Sequence, residues 1–157
     1  MTVKPYSTPT HCIQCGTCTG SCPSGRYTAL NIRRIIRKAS KNRNNETLLR
    51  DETLWTCTTC YNCQERCPRN IAVADALLEI RALAVHRGII LPRHKVVAEN
   101  LIRTGHAVPI DDENRAHRRD IGLAELPETV HSYPEHLEEV KALVQAAKFH
   151  KLIEGAP

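Results

Sequence analysis

A duplicated cysteine run constrains this chain more than any other feature. The pattern Cys-x2-Cys-x2-Cys-x3-Cys-Pro occupies residues 12–23 and recurs over residues 57–68, each cysteine lying 45 positions after its counterpart. No cysteine falls outside the two copies, so the repeat accounts for all eight. The fold must therefore bring two sets of thiols together.

The run is typical of proteins that hold two iron–sulfur clusters, where the fourth cysteine of each run ligates the other cluster. Three thiolates at three-residue spacing can wrap one turn of backbone around a cluster, and the proline then redirects the chain. We therefore predict two [4Fe–4S] clusters with crossed ligands. The first cluster is expected to take Cys12, Cys15, Cys18 and Cys67, and the second Cys57, Cys60, Cys63 and Cys22.

Zinc and disulfides are the alternatives for these thiols. Tetrahedral zinc prefers two separated Cys-x2-Cys pairs, or cysteine mixed with histidine, rather than a duplicated four-cysteine run that ends in proline. The first ten residues contain no apolar stretch typical of a secretory signal. We expect a cytoplasmic protein, and the cytosol keeps thiols reduced, which disfavours disulfides.

Two further classes of protein are disfavoured by charge and hydropathy. The formal net charge of +5 suggests nucleic-acid binding, but two oxidised clusters with their thiolates would bring about −2 each. The loaded protein then lies near +1, and we expect no nucleic-acid partner. The most apolar segment, residues 71–91, is interrupted by charged side chains, so we expect no membrane span.

Apolar residues outside the runs follow a helical period, and nothing in the sequence indicates a sheet. One face of the first predicted helix gathers four apolar residues at positions i, i+3, i+4 and i+7. These are Ile32, Ile35, Ile36 and Ala39. We predict an all-α protein.

Further helices are placed by their end signals. A short helix is expected over residues 46–54. The next is expected to be capped by Asn70 and to end before Gly88, and another runs from Pro92 to Gly105.

The region after Gly105 has a different character. Residues 106–133 are rich in proline and charge, show no period and are predicted to form an extended arm. A last helix begins at Pro134, with one apolar face. That face comprises Leu137, Val140, Val144 and Ala147. We predict a two-cluster domain over residues 1–105 and an arm and helix over residues 106–157 that dock a partner.

No catalytic residue can be assigned. The sequence has no Gly-rich phosphate or dinucleotide loop, no histidine–glutamate metal motif and no defensible nucleophile–base pair. Trp55 and Tyr61 flank the second run; they either shield a cluster from water or pack as ordinary side chains. The residues favour an electron carrier over an enzyme with its own substrate site.

Amphipathic helices around the cysteine runs, in place of strand hairpins, resemble the α-helical ferredoxin domain. The whole chain also resembles the C-subunit family of the soluble heterodisulfide reductases of methanogenic archaea. Three stretches carry that resemblance. They are residues 55–68 (WTCTTCYNCQERCP), residues 105–109 (GHAVP) and residues 127–134 (PETVHSYP).

The resemblance implies partner proteins. It implies a flavin-containing subunit, joined through the C subunit to a disulfide-reducing subunit that cleaves the mixed disulfide of coenzyme M and coenzyme B. It also implies hydrogenase or formate dehydrogenase modules in larger assemblies. Disulfide-cleaving sites of this type need adjacent cysteines, which this chain lacks. Two alternatives stay open: an iron–sulfur subunit of another oxidoreductase complex, and a free ferredoxin.

Overall fold

The computed structural model describes residues 9–42 and 44–154, which form helices, turns and loops without a β-strand. The all-α class predicted from the sequence is confirmed. Contacts divide the chain into two compact units, Met1–Ile89 and Ile90–Pro157. None of the helices in the described ranges is both long and apolar enough to cross a membrane.

Both units are built from short helices. In the first unit the α-helices are α1 Thr17–Gly20, α2 Ile32–Lys41, α3 Glu46–Leu49, α4 Asn62–Glu65 and α5 Val73–His86. In the second they are α6 Pro92–Thr104, α7 Asp112–Asp120, α8 Pro134–Ala146 and α9 Phe149–Glu154. Single 3-10 turns cover Pro9–His11, Ser24–Arg26, Glu52–Thr56 and Val130–Ser132.

The core of the first unit lies between α2, α3 and α5. Asn31 begins α2, its side chain accepting the backbone N–H of Arg34 at 3.0 Å. The apolar face predicted for α2 is confirmed, because all four of its members are buried. They pack in one cluster with residues of the other two helices and of the 3-10 turn. That cluster includes Leu48, Leu49, Leu54, Val73, Leu77, Ile80 and Ala84.

The single helix predicted over residues 46–54 is instead α3 followed by a 3-10 turn. Asp51 interrupts it, since its carboxylate accepts the backbone N–H of Thr53 and caps the turn. The same carboxylate lies 3.6 Å from both Arg34 and Lys38. Burial alone would raise the pKa of Asp51, but the Thr53 hydrogen bonds and the two cations outweigh burial and lower the pKa.

The predicted start of α5 was wrong, and its predicted end is confirmed. Asn70 has a left-handed backbone with φ 50°, so the helix cannot begin there; it begins at Val73 instead. Gly88, with φ 74°, follows the last turn as expected. The bounds of α6 are also confirmed, with Pro92 in the first turn and Gly105 at φ 68° as its cap.

The extended arm predicted over residues 106–133 contains a helix, α7. Asp111 caps it by accepting the backbone N–H of Asn114 at 2.9 Å. Acidic residues fill its first turn and basic residues its last, the arrangement that the helix dipole favours. A search for apolar periodicity misses such a helix because it buries no residue.

In the second unit, α8 packs against α6 and against α9. Leu137, Val140 and Val144 form the half-buried face of α8, whereas Ala147 is exposed. A Cβ on Gly105 would overlap Cγ1 of Val130, so the chain passes very close to the end of α6. Contacts therefore group α6 with the C-terminal helices, while the functional division after Gly105 stays a prediction.

Candidate metal centre

The two cysteine runs fold into the same loop twice. Gln14 and Gly16 have left-handed backbones, with φ 59° and 85°, and so do Thr59 and Tyr61 at the equivalent positions, with φ 52° and 62°. Each loop leads into one helical turn that carries the third cysteine of its run. The sequence repeat is thus a repeat of backbone conformation.

The first cavity joins both runs. Its cysteine lining consists of the four thiols that the sequence assigns to the first cluster, Cys12, Cys15, Cys18 and Cys67. Apolar side chains complete much of the wall, among them Ile36, Ile71 and Val73. The fourth cysteine of the second run therefore faces the first three cysteines of the first run.

The second set of thiols centres on buried Cys63. Burial raises its pKa to about 12, and the negative charges of Cys57, Cys18 and Cys60 add to that rise. The thiols of the second run are therefore close enough to interact. The third cysteines of the two runs, Cys18 and Cys63, lie on α1 and α4, which pack against each other.

Cys22 is held near the start of the second run. The hydroxyl of Ser24 donates to the backbone carbonyl of Thr56 at 2.6 Å, and the hydroxyls of Thr28 and Thr56 share a hydrogen bond at 3.3 Å. These bonds tie the segment after Cys22 to the residue before Cys57. The structure thus holds the segment that follows Cys22 beside the start of the second run, while ligation of the second cluster by Cys22 stays a prediction.

Hydrogen bonds reach several of the sulfur atoms. The fourth cysteines are equivalent in this respect: Cys22 accepts the backbone N–H of Gly25 at 3.3 Å, and Cys67 accepts that of Ile71 at 3.4 Å. A bond shared with the Thr17 hydroxyl lowers the pKa of Cys15. Donors to sulfur favour the thiolate, which is the form that binds metal.

Glycine is required next to Cys22. A Cβ on Gly25 would lie 2.9 Å from the Leu30 carbonyl oxygen and 3.6 Å from the Cys22 sulfur. A side chain here would press on the Leu30 carbonyl, so the segment whose backbone N–H bonds to Cys22 would have to shift.

Arg81 is the contact that sequence reasoning missed. It lies on α5 and donates hydrogen bonds to the backbone carbonyls of Leu54 and Cys57. Its guanidinium lies 5.8 Å from the ring centroid of Trp55, which packs against the core. One sequence signal could have drawn attention to Arg81: the equivalent residue of the first repeat, Ile36, is apolar.

The donor set fits two [4Fe–4S] clusters. Eight free cysteines match the two predicted sets of four, which is the ligand number that two such clusters require. The cavity between the two runs places one set around a common space.

Comparison with known proteins agrees with this chemistry. Residues 9–71 match the model of the 4Fe-4S dicluster domain. The chain is 59% identical over 141 residues to the C subunit of the ferredoxin:CoB-CoM heterodisulfide reductase of Methanosarcina mazei, covering 90% of this chain and 86% of the relative.

Two other relatives are similar over most of their length. The C subunit of the H(2):CoB-CoM heterodisulfide,ferredoxin reductase of Methanothermobacter marburgensis is 50% identical, with 91% of this chain and 77% of the relative covered. The iron-sulfur C subunit of the CoB–CoM heterodisulfide reductase of Methanopyrus kandleri is 53% identical, with 90% and 73% covered. This chain is an iron–sulfur protein with two [4Fe–4S] clusters, and it belongs to the C-subunit family of heterodisulfide reductases.

Proposed function

We propose that this chain relays single electrons inside a cytoplasmic heterodisulfide reductase complex. Electrons would come from a flavin-containing subunit, and they would pass to a disulfide-reducing subunit that acts on the CoM-S-S-CoB heterodisulfide. Each [4Fe–4S] cluster, when bound, stores and releases one electron. The observation that carries the proposal is the contact of α1 with α4, which makes Cys18 and Cys63 neighbours. Two clusters held that close suit a relay.

Crossed ligation is part of the proposal. The cavity lined by Cys67 together with the first three cysteines supports it for one cluster. The hydrogen bonds that fasten the segment after Cys22 to Thr56 support it for the other. Crossing makes each cluster a link between the two halves of the first unit, so metal binding adds to the stability of that unit.

Apolar side chains line part of the first cavity and shield its inner ligands from water, while Cys15 stays exposed. Ile36, Ile71 and Val73 are each at most 4% exposed. A dry surrounding limits the reorganisation of solvent when charge changes, and it protects thiolates from oxidation. The protein therefore contributes a rigid, shielded holder rather than groups that react with a substrate.

We further propose that the C-terminal segment docks the partner proteins. Its surface carries apolar side chains that a solvated helix does not need, above all Ile121, 72% exposed, and Leu143, 70% exposed. Both lie in the second unit, which holds no cysteine. Docking and electron storage would then belong to different units of the chain.

Reconstitution tests the relay. The chain alone, reduced by an artificial donor, is expected to give no turnover of the CoM-S-S-CoB heterodisulfide. Turnover is expected with the flavin-containing and disulfide-reducing subunits present, and it should fall when Cys63→Ser removes a buried ligand. Heterodisulfide reduction by the isolated chain would contradict a pure relay. Full activity of the two other proteins without this chain would contradict it as well.

Charge substitutions test the docking surface. Ile121→Glu and Leu143→Glu are expected to weaken copurification with the partner proteins while about eight irons stay bound, because all ligands lie in the first unit. The matched control places the same charge at exposed Thr47 on α3. Normal assembly of both variants would show that this surface does not dock.

A further inference from the structure

The side chain of Arg81 fastens α5 to the segment that enters the second cysteine run. Its Nε donates to the Leu54 carbonyl at 2.8 Å. Its Nη2 donates to the same carbonyl at 2.5 Å and to the Cys57 carbonyl at 2.7 Å. A planar fork that spans two carbonyls fixes the backbone on both sides of Trp55. Arg81 thereby sets the position from which the Cys57 thiol projects.

Ile36 stands at the position of the first repeat that is equivalent to Arg81, and its apolar side chain cannot donate such hydrogen bonds. The inward positions of α5 match those of α2 at the 45-residue displacement that relates the cysteines. The pairs are Ile32 with Leu77, Ile35 with Ile80, Ile36 with Arg81, and Ala39 with Ala84. Ile36 is buried and lines the first cavity. At this one position the first site has an apolar side chain and the second a cation, whereas the cations that line the first cavity, Arg33 and Arg69, come from other positions.

That charge is partly removed from water. Arg81 is only partly exposed, and its guanidinium is hydrogen-bonded to the backbone of Cys57. An arginine nonetheless stays protonated in proteins. The Trp55 ring beside it limits solvent screening. A fixed positive charge in such surroundings favours any nearby state that carries an additional electron.

We infer that Arg81 is a positioning residue for Cys57 and raises the reduction potential of the second cluster. The inference rests on the proposed ligation of the second cluster by Cys57. It does not depend on which proteins donate or accept the electrons. Removal of this one charge is then expected to lower the potential of the second cluster and leave that of the first unchanged.

Redox titration of the loaded full-length chain, followed by electron paramagnetic resonance, tests the charge. Arg81→Gln keeps amide donors and removes the charge. At a fixed potential it is expected to lower the reduced-to-oxidised ratio of one cluster about tenfold, equivalent to about 59 mV for one electron. Arg81→Lys retains the charge and is expected to stay near wild type. Arg50→Gln is the control, since Arg50 is exposed and pairs only with Glu46 among the described residues.

Iron release to a chelator tests the positioning. Arg81→Lys loses the planar fork, so about four of about eight irons are expected to leave faster than in wild type, although the potential is kept. If Arg81→Gln fails to hold its second cluster, the potential of the second cluster in Arg81→Lys tests the role of charge instead. A tenfold change in its reduced-to-oxidised ratio, despite the retained charge, would overturn that role.

Three results would overturn the inference. In the first, both reduction potentials are unchanged in Arg81→Gln. In the second, the potentials of both clusters shift equally in that variant. In the third, the potential of the second cluster shifts equally in Arg81→Gln and Arg81→Lys. A chain that shows the expected single shift yet exchanges no electrons with the flavin-containing and disulfide-reducing subunits would contradict the proposed function and leave the role of Arg81 intact.

Discussion

Replacing Gly105 with alanine tests how the second unit is held together. Gly105 caps α6 with φ 68°, a left-handed conformation that costs an L-residue about 1–2 kcal/mol. The new Cβ would also overlap Cγ1 of Val130 and lie 3.3 Å from Cδ1 of Leu137. The Val130 side chain has to move to relieve the first contact, and overpacking of this kind costs about 1–3 kcal/mol.

The two costs together predict a loss of about 2–5 kcal/mol in the local stability of the second unit. Amide hydrogen exchange of α6 and α8, followed by mass spectrometry, measures that loss, and about 2 kcal/mol corresponds to roughly a 30-fold fall in protection. Iron content is expected to stay at about eight per chain, because every ligand lies in the first unit.

Gly122→Ala is the matched control. Gly122 follows α7 with φ 75°, and a Cβ there would meet no atom within 4 Å. This variant should show only the conformational cost of about 1–2 kcal/mol. Equal losses in the two variants would refute the steric argument about Val130. Loss of iron in Gly105→Ala would refute the independence of the cluster-holding unit.

Three other substitutions test the metal centre and its support. Cys67→Ser is expected to alter the spectrum of the cluster held by the first run, and Cys22→Ser that of the second; disturbance of each residue's own run would contradict crossed ligation. Gly25→Ala should speed iron release to a chelator, since the added Cβ displaces the backbone N–H that reaches Cys22, whereas Gly20→Ala, with open space around it, should not. Asp51→Ala removes the cap of a 3-10 turn and is expected to lower the free energy of unfolding by about 1–2 kcal/mol, measured by thermal unfolding. An unchanged unfolding temperature would count against that structural role.

Sequence reasoning was most reliable where a side chain has one physical role. The apolar face of α2 is visible in the spacing of Ile32 and its partners, because burial of that face is what stabilises the helix. Gly88 and Gly105 mark helix ends because glycine adopts the left-handed backbone without cost. The cysteine pattern indicated iron–sulfur clusters for a similar reason, since thiols at that spacing suit few other metal centres.

The wrong predictions concern segments whose backbone conformation is set by polar side chains. Asp51 divides the expected helix over residues 46–54 by bonding to Thr53, and α7 is held by the Asp111 cap and its charges instead of an apolar face. Asn70 looked like a cap but lies in a left-handed turn. Arg81 was overlooked because its partners are backbone carbonyls distant in sequence, and no local pattern predicts those.

The cavity shared by Cys67 and the first cysteine run has a consequence for how the protein is made. Its walls come from residues 12–36 and from residues 67–73, so the cavity does not exist while the ribosome has translated only the first run. At about 5–20 residues per second, several seconds separate synthesis of the two walls. During that interval the nascent chain presents reactive thiols without their enclosing partner. We therefore expect insertion of the first cluster to follow the emergence of the second run.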